Sequence, residues 1–297
     1  SAWQDTVRDA LDGETGLYRT EQSGVAKKRK DNVNRIWDMR QWTTSVYSSA
    51  YNTAYQKFRN NVFQVEQPFR NGLMQSASAN PLFQKFMGVK YVIGRSEDGE
   101  NFTTEMQEAA APVIYGTNQV IAEKTYQAMK FPYNQTMLMQ YAVTGNEKIA
   151  DTGVEKTKGI QETNVTFTAK QGVTKEDDSW KIKTKKEQKA TLSLDEDASG
   201  KERILYLQFD VENGHPNRDV SIVINGIRNK LTAKSHLYYN DNTTFTYVMK
   251  LSADQEKIKV TFGAGTYRIC NLKSYVSDTT VLEDASLYRS TFTPDRN

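Results

Sequence analysis

The segment Tyr47-Ser48-Ser49-Ala50-Tyr51-Asn52-Thr53-Ala54-Tyr55 crowds hydroxyls and an amide around an expected strand-to-helix junction. Free N–H groups converge at the start of a helix, so such a junction can grip sugar hydroxyls or a phosphate, or can satisfy itself as a cap. Its composition leaves both open. Asp177-Asp178 and Asp195-Glu196-Asp197 are paired carboxylates, the raw material of glycosidase chemistry, which needs two carboxyls facing across a cleft about 5–10 Å apart. Between strands, such pairs read as solvated turns. The four cations Lys27-Lys28-Arg29-Lys30 could meet phosphate oxygens, against a solvated loop before a helix start at Asp31. Trp42, Trp180, Tyr238 and Tyr239 could stack on sugar rings. Trp180 alternates with Ile182 and is expected in the core. Tyr238-Tyr239, followed by Asn240-Asp241-Asn242, is expected in a loop and is the better glycan-contact candidate.

Much chemistry is excluded. One cysteine, Cys270, forbids an intrachain disulfide, and with only His215 and His236 it cannot complete a closed four-ligand zinc site. Both histidines read as exposed loop residues. No phosphate-cradling glycine loop, Gly-x-Ser-x-Gly elbow or His-Glu-x-x-His helix is present. No catalytic residue, metal ligand or cofactor is therefore assigned. The 297 residues carry 39 Lys and Arg against 36 Asp and Glu, a balance that holds in each half and gives no support for nucleic acid as a partner. The mean hydropathy of −0.70 describes a well-solvated surface. Apolar stretches such as Val89–Ile93 fall far short of the roughly 18 residues that a membrane span needs. Without an initiating Met or a leader, the chain is expected to be an excised piece or a mature fragment.

Two kinds of element must hold these residues. Tyr51, Tyr55, Phe58 and Val62 share one face of a helix, with Ser49 placed to cap it. Asn80-Pro81 opens a second helix that ends at Gly88, and Val89–Ile93 follows as a strand. Helical spacing returns over 117–143, interrupted by Pro132. This mixture predicts an α/β or α+β domain over 1–155. Gly145–Gly159, polar and glycine-punctuated, is a linker candidate. Over 156–297 the period becomes two, as in Leu205/Leu207/Phe209/Val211 and Phe245/Tyr247/Met249/Leu251, giving one buried and one wet face per strand. Asn225-Gly226 signals a hairpin, and Gly263-Ala264-Gly265 a second hairpin tip. Many such strands without helices predict an antiparallel, jelly-roll-like β-sandwich.

Leu17-Tyr18-Arg19, Asn32, Tyr47-Ser48-Ser49 with Asn52 and Tyr55, and Gly88-Val89-Lys90-Tyr91-Val92-Ile93, in this order and spacing, resemble the YfhO family of large multi-pass bacterial membrane proteins. The family's usual last motif has two leucines before the glycine, where Phe86-Met87 stand here. Ala111-Pro112-Val113-Ile114-Tyr115-Gly116 occupies the place of an alanine-leucine-proline-leucine-glycine stretch, with the proline displaced. The motifs cover about residues 15–145; the strand-rich half is similar only in general pattern. The resemblance implies a GT-C-type parent whose transmembrane helices flank this extracellular portion on a Gram-positive cell membrane. It also implies glycosylation of envelope polymers, lipoteichoic acid in particular, from a sugar carried on a polyprenyl phosphate. The implied partners are that glycopolymer or lipid-linked sugar and the parent's own transmembrane helices. GT-C enzymes carry their catalytic carboxylate on a loop between membrane helices, so no carboxylate here inherits the role and the fragment alone is expected to be inactive. Within the resemblance, Tyr47, Ser48, Ser49 and Asn52 would bond substrate, with Arg19 as a phosphate partner. Two other readings stay open: a glycan-binding sandwich contacting ligand through Tyr238, Tyr239 and Asn240, or a scaffold. Alanine at Ser48 and Asn52 in the full-length parent is expected to lower envelope glycosylation; unchanged glycosylation would remove the junction from the site.

Overall fold

A computed structural model describes residues 2–22, 42–45, 50–66, 74, 77–96, 101–108, 110–113, 116–146, 148, 151, 153–195, 200–283 and 287–288. Strands, mostly in antiparallel pairs, dominate these residues. The helices are short: α1 (Ala2–Leu11), α2 (Thr53–Lys57), α3 (Pro81–Phe86), α4 (Glu123–Gln127) and α5 (Tyr133–Thr136). None of the described helices is long and apolar enough to cross a membrane. The chain forms two compact units, one of Ser1–Ser49, Leu73–Thr157 and Leu282–Asn297, the other of Ala50–Gly72 and Lys158–Val281. The change of sequence character near 155 falls beside the passage from Thr157 to Lys158. In addition, Ala50–Gly72 belongs with the strand-rich half, and Leu282–Asn297 with the first unit.

In the first unit, β1 (Arg19–Gln22) runs parallel to β2 (Val89–Arg95), and β3 (Phe102–Met106) runs antiparallel on the other edge of β2. The two short motif blocks are thus neighbouring strands. The Arg19 N–H donates to Gly88 O at 2.6 Å, and its guanidinium Nη1 donates to Met87 O. Helix α3 starts because Asn80 Oδ1 accepts from the N–H groups of Leu82 (2.9 Å) and Phe83 (3.3 Å), with Pro81 in the first turn. It stops at Gly88, whose φ of +66° is the left-handed conformation of a helix C-cap. A Cβ there would also lie 3.1 Å from Ala111 O and from Val113 Cγ2.

Beyond that glycine, Val89, Tyr91 and Ile93 are buried. Lys90 Nζ lies 2.5 Å from Glu14 Oε2, and Tyr91 OH donates to the same oxygen at 2.6 Å. The Gly16 N–H takes Oε1 at 2.8 Å, and the ammonium sits 4.4 Å above the Tyr18 ring. Burial opposes the Glu14 charge, but the hydrogen bonds from Lys90, Tyr91 and Gly16 outweigh it and hold its pKa down. Burial likewise works against the Lys90 charge, and Glu14 overrides it to raise the Lys90 pKa. Glu21, also buried, is met by Thr44 through both its N–H and its hydroxyl, and by Ser45 Oγ at 3.0 Å. A buried carboxylate persists only with such partners.

The expected helical stretch over 117–143 is corrected in part. Pro132 does separate α4 from α5, but β5 (Val120–Ala122) and β6 (Ala142–Thr144) close the stretch as a parallel pair, with β4 (Gly116–Thr117) before them pairing with Leu287–Tyr288. The linker candidate is anchored too. Asp151 accepts from the Ala122 N–H and, at 2.9 Å, from Thr125 Oγ1 at the start of α4, and Thr157 Oγ1 donates to Thr136 Oγ1 at 2.9 Å. At Asp151 and Thr157, the polarity of this stretch goes into hydrogen bonds with the first unit.

In the second unit, Asn52 rather than Ser49 caps α2, its Oδ1 accepting from the Tyr55 N–H at 2.9 Å. Phe58–Val62 then winds as a π turn, closed by the Phe63 N–H onto Phe58 O at 3.4 Å. Tyr51 precedes the helix, and the wider turn changes which residues after Lys57 face inward, so the expected Tyr51/Tyr55/Phe58/Val62 stripe does not form. Arg59, Phe63 and Val65 are buried instead, and Tyr51 is exposed. Gln64, at φ +45°, takes hydrogen bonds on Oε1 from Gln208 Nε2 and Thr246 Oγ1, both at 2.6 Å.

The remaining strands are β7 (Gln161–Glu162), β8 (Val165–Ala169), β9 (Val173–Glu176), β10 (Ser179–Thr184), β11 (Gln188–Leu194), β12 (Arg203–Asn213), β13 (Val220–Ile224), β14 (Ile227–Leu231), β15 (Thr244–Leu251), β16 (Lys257–Phe262) and β17 (Gly265–Asp278). One sheet has the order β15-β12-β17-β10-β9, with β7 also on β17; the other is β14-β13-β16-β11-β8. Their inner faces share one core. Phe167 of the second sheet meets Trp180 of the first edge-on at 5.4 Å, and Tyr247 OH reaches across to Ile222 O at 2.9 Å. Asn225-Gly226, at φ +50° and +82°, makes the expected β13–β14 hairpin. Gly263-Ala264-Gly265 does not make a second one, because β16 and β17 lie in different sheets. It is a tight crossing in which a Cβ on Gly263 would stand 2.8 Å from Ser221 O. β12 also departs from simple alternation: Ile204 and Tyr206, on the outer face, are as buried as Leu205 and Leu207.

Gly88→Ala is expected to lower the unfolding free energy by about 1–3 kcal/mol, through left-handed backbone strain and crowding. Chemical denaturation of the two proteins measures it.

Candidate functional site

The geometry of β17 opens a cleft in the sandwich. β12 flanks this strand on one side, while the other side carries β10 along Gly265–Ile269 and β7 at Tyr275–Val276. Between those partners, no described strand pairs with 270–274 on that edge. The register against β12 slips between Gln208 and Asp210, and Asn271 opposite takes φ +51°. Its amide donates to Asp210 Oδ2 at 2.8 Å, and Thr244 Oγ1 holds the other oxygen at 2.7 Å. The bulge is therefore braced rather than loose.

The resulting open cleft encloses about 800 Å³. Asn271, Leu272 and Lys273 line it from the interrupted strand, joined by Ser274 and Tyr275. One wall is the β9–β10 hairpin, with Lys175 and Trp180 and with Asp177-Asp178 at its tip, where Asp177 has φ +50°. The other is Glu162–Thr166 together with Asp195. Ser274 Oγ donates to Thr163 O at 2.5 Å, and the Asp195 N–H donates to Asn164 O at 3.1 Å, fixing this wall. Lys175 Nζ stands 5.9 Å over the buried Trp180 ring. The lining is predominantly polar, with carboxylates, amides and hydroxyls around one space. Such a space suits a ligand rich in hydroxyls. No group of three or more His, Cys, Asp or Glu among the described residues is arranged to hold a metal.

Asp177, Asp178 and Asp195 do sit in exposed turns, as their sequence suggests, yet the fold gathers all three around the cleft. Trp180 is buried as expected. Of the anticipated junction, Tyr47, Ser48 and Ser49 lie outside the described residues, as do Lys27–Lys30. Arg19 and Asn52 belong to different compact units. Arg19 braces Met87 O, and Asn52 caps α2. The lining residues Asn164, Asn271 and Ser274 were missed in sequence. The available signal was Asn271, a turn-favouring residue in the middle of a long strand pattern.

Tyr238, Tyr239 and Asn240 lie on the loop joining β14 to β15. Asn240 is buried: its Oδ1 accepts from the Thr232 N–H (3.0 Å), and its Nδ2 donates to Lys230 O (2.7 Å). Tyr239 OH donates to Asp241 at 2.8 Å, and the Tyr238 N–H donates to His236 Nδ1 at 3.0 Å. Asp219 ties the loop down, paired with Lys230 at 2.6 Å and accepting from the Ala233 N–H at 2.8 Å. Burial raises the Asp219 pKa, but these hydrogen bonds outweigh it and hold the carboxyl below the usual range.

A β-sandwich bearing an open polar cleft is thus the class of protein that fold and site define. The chain belongs to the family described as bacterial membrane protein YfhO, whose family model matches residues 4–288. No curated protein matches its sequence. Among solved structures it is similar to the C-terminal CBM6 of LamC, a marine laminarinase from Zobellia galactanivorans, at 12% identity and a TM-score of 0.24, covering 39% of this chain and 100% of that one. It is also similar to CBM29_1, a family 29 carbohydrate-binding module from Piromyces equi (12%, TM-score 0.21, 41% and 83% covered). A third is the carbohydrate-binding module CBM6cm-2 from Cellvibrio mixtus lichenase 5A in complex with cellotriose (11%, TM-score 0.21, 40% and 90%). At these TM-scores the likenesses carry no argument, and the sandwich rests on its own sheets and shared core.

A carboxyl with a depressed folded pKa contributes stability present above its unfolded value, about 3.9 for Asp, and lost as pH falls through the lower folded value. Asp219→Asn is expected to destabilise the chain at neutral pH, with the difference vanishing in strong acid. Urea unfolding of both proteins across that range tests the sign.

Proposed function

We propose that this chain is the extracellular soluble portion of its membrane protein, and that the sandwich holds a cell-envelope glycan in the cleft beside β17. The supporting observation is the cleft itself: a braced interruption in a sheet that presents Asn164, Asp177, Asp178, Asp195 and Asn271 around one volume. Carboxylate and amide oxygens accept from sugar hydroxyls, amide and lysine N–H groups donate to them, and Tyr275 adds an aromatic surface. Glu162, Asp177, Asp178 and Asp195 outnumber Lys175 and Lys273, so the field disfavours a polyphosphate backbone and favours neutral or amine-bearing sugars.

In this proposal the parent is a glycosyltransferase-like protein of the envelope, lipoteichoic acid being the acceptor that the resemblance suggests, and the cleft takes sugar substituents of such a polymer rather than its phosphate backbone. The present portion positions acceptor polymer or polyprenyl-phosphate-linked sugar and performs no catalysis itself. The contact for the lipid-linked donor is proposed at Arg19, Tyr47, Ser48 and Ser49 of the first unit, while Asn52, in the other unit, is left as the cap of α2. We further take the first unit as an α/β layer domain and the sandwich as jelly-roll-like, since most connections from β10 to β17 pass from one sheet to the other.

Titration of the chain with short neutral and amino-sugar wall glycans, followed by amide chemical shifts, tests the cleft. Shifts are expected around Asn164, Asp177 and Asn271, and Asp195→Ala is expected to weaken binding about tenfold, the loss of a charged hydrogen-bond partner. No shifts at millimolar glycan, or shifts that ignore Asp195→Ala, would overturn it.

A further inference from the structure

The β14–β15 loop holds Leu237, Tyr238 and Tyr239 in solvent at 85%, 49% and 36% exposure. Among the described residues no other three consecutive large apolar side chains are exposed. The loop is not loose. Asn240 is buried and bonded to Thr232 and Lys230, and the Lys234 N–H donates to Pro216 O at 2.8 Å. The His236 N–H donates to Ala233 O at 2.9 Å, and Asp219 pins Ala233 from the neighbouring loop. A frame held at this many points keeps Leu237 outward instead of letting it collapse onto the sandwich.

We infer that this loop is a membrane-contact tip that rests in the headgroup region of the bilayer. Three observations select that occupant. The chain belongs to a membrane-protein family, so a bilayer adjoins it. The tip has interfacial composition, with one aliphatic side chain at the apex and two tyrosines beside it, whose rings are apolar and whose hydroxyls stay wet. Lys234 and Arg218 are exposed nearby and Asp219 is paired with Lys230; with Asp241, which accepts from the Tyr239 hydroxyl, set against them, a weakly cationic collar remains that suits anionic headgroups. A glycan platform fits less well: the amides that would grip sugar hydroxyls turn inward, Asn240 and Asn242 both donating to Lys230 O, and the most exposed side chain is aliphatic. The inference is independent of the cleft beside β17.

The test uses the full chain with vesicles of phosphatidylglycerol and phosphatidylcholine at millimolar lipid, read by flotation. Leu237 is exposed, so Leu237→Asp leaves the fold intact; Met106→Asp, at a residue 53% exposed on β3, is the control for general stickiness. The native chain is expected to float with vesicles, Leu237→Asp to lower its partitioning by about tenfold or more, and Met106→Asp to leave it unchanged. Failure of the native chain to bind, equal loss in both variants, or no loss in Leu237→Asp overturns the inference. So does a parallel glycan titration that shifts the amides of 237–239 while vesicles do not.

Discussion

β17 has to satisfy two geometries at once. It pairs with β12 along most of its length, while its other edge serves β10 first and β7 later. Where its outer partner changes from β10 to β7, the strand bulges against β12 at Asn271, which takes a left-handed backbone and bonds the Asp210 carboxylate. Everything at the cleft follows. The interrupted edge leaves room, the β9–β10 tip overhangs one side, and the Thr163–Ser274 bonds fix the other. Behind them, Phe167 against Trp180 locks the two sheets, so the walls stand on a packed core.

In the first unit the family motifs serve architecture. Gly88 is needed because the chain turns through a left-handed conformation against Ala111 and Val113. Lys90 and Tyr91 converge on one oxygen of Glu14, and Arg19 braces the turn before β2. A half-buried ion pair of this kind contributes little net stability, since desolvation offsets most of the attraction, but it leaves few alternatives for the chain around Glu14–Tyr18. Such residues mark a family through folding requirements as readily as through chemistry, and a motif alone does not distinguish the two.

The strand-rich unit also recruits a piece of chain from far upstream. After the π turn at Phe58–Val62, Gln64 meets Gln208 and Thr246, which face each other across β12 and β15. The apolar run Ile204-Leu205-Tyr206-Leu207 is the local counterpart, a strand buried on both faces.

Local rules were sufficient for much of this protein. Asn225-Gly226, the Asn80-Pro81 helix start, the glycine stop at Gly88 and the period-two strands depend on backbone preferences within a few residues, and all are legible in the sequence, as is the family. Tertiary structure decided the rest. The glycine turn after Phe262 looks the same locally whether it joins partners or crosses between sheets, and only the pairing of β16 and β17 distinguishes them. Asp177-Asp178, Asp195 and Asn271 are far apart in the chain, and each reads alone as a solvated turn or a strand residue. Their meeting at one cleft depends on strand order, which periodicity does not encode. Leu237 shows the complement: its apolar character is plain in the sequence, but its exposure is set by the buried Asn240 and by Asp219 on another loop.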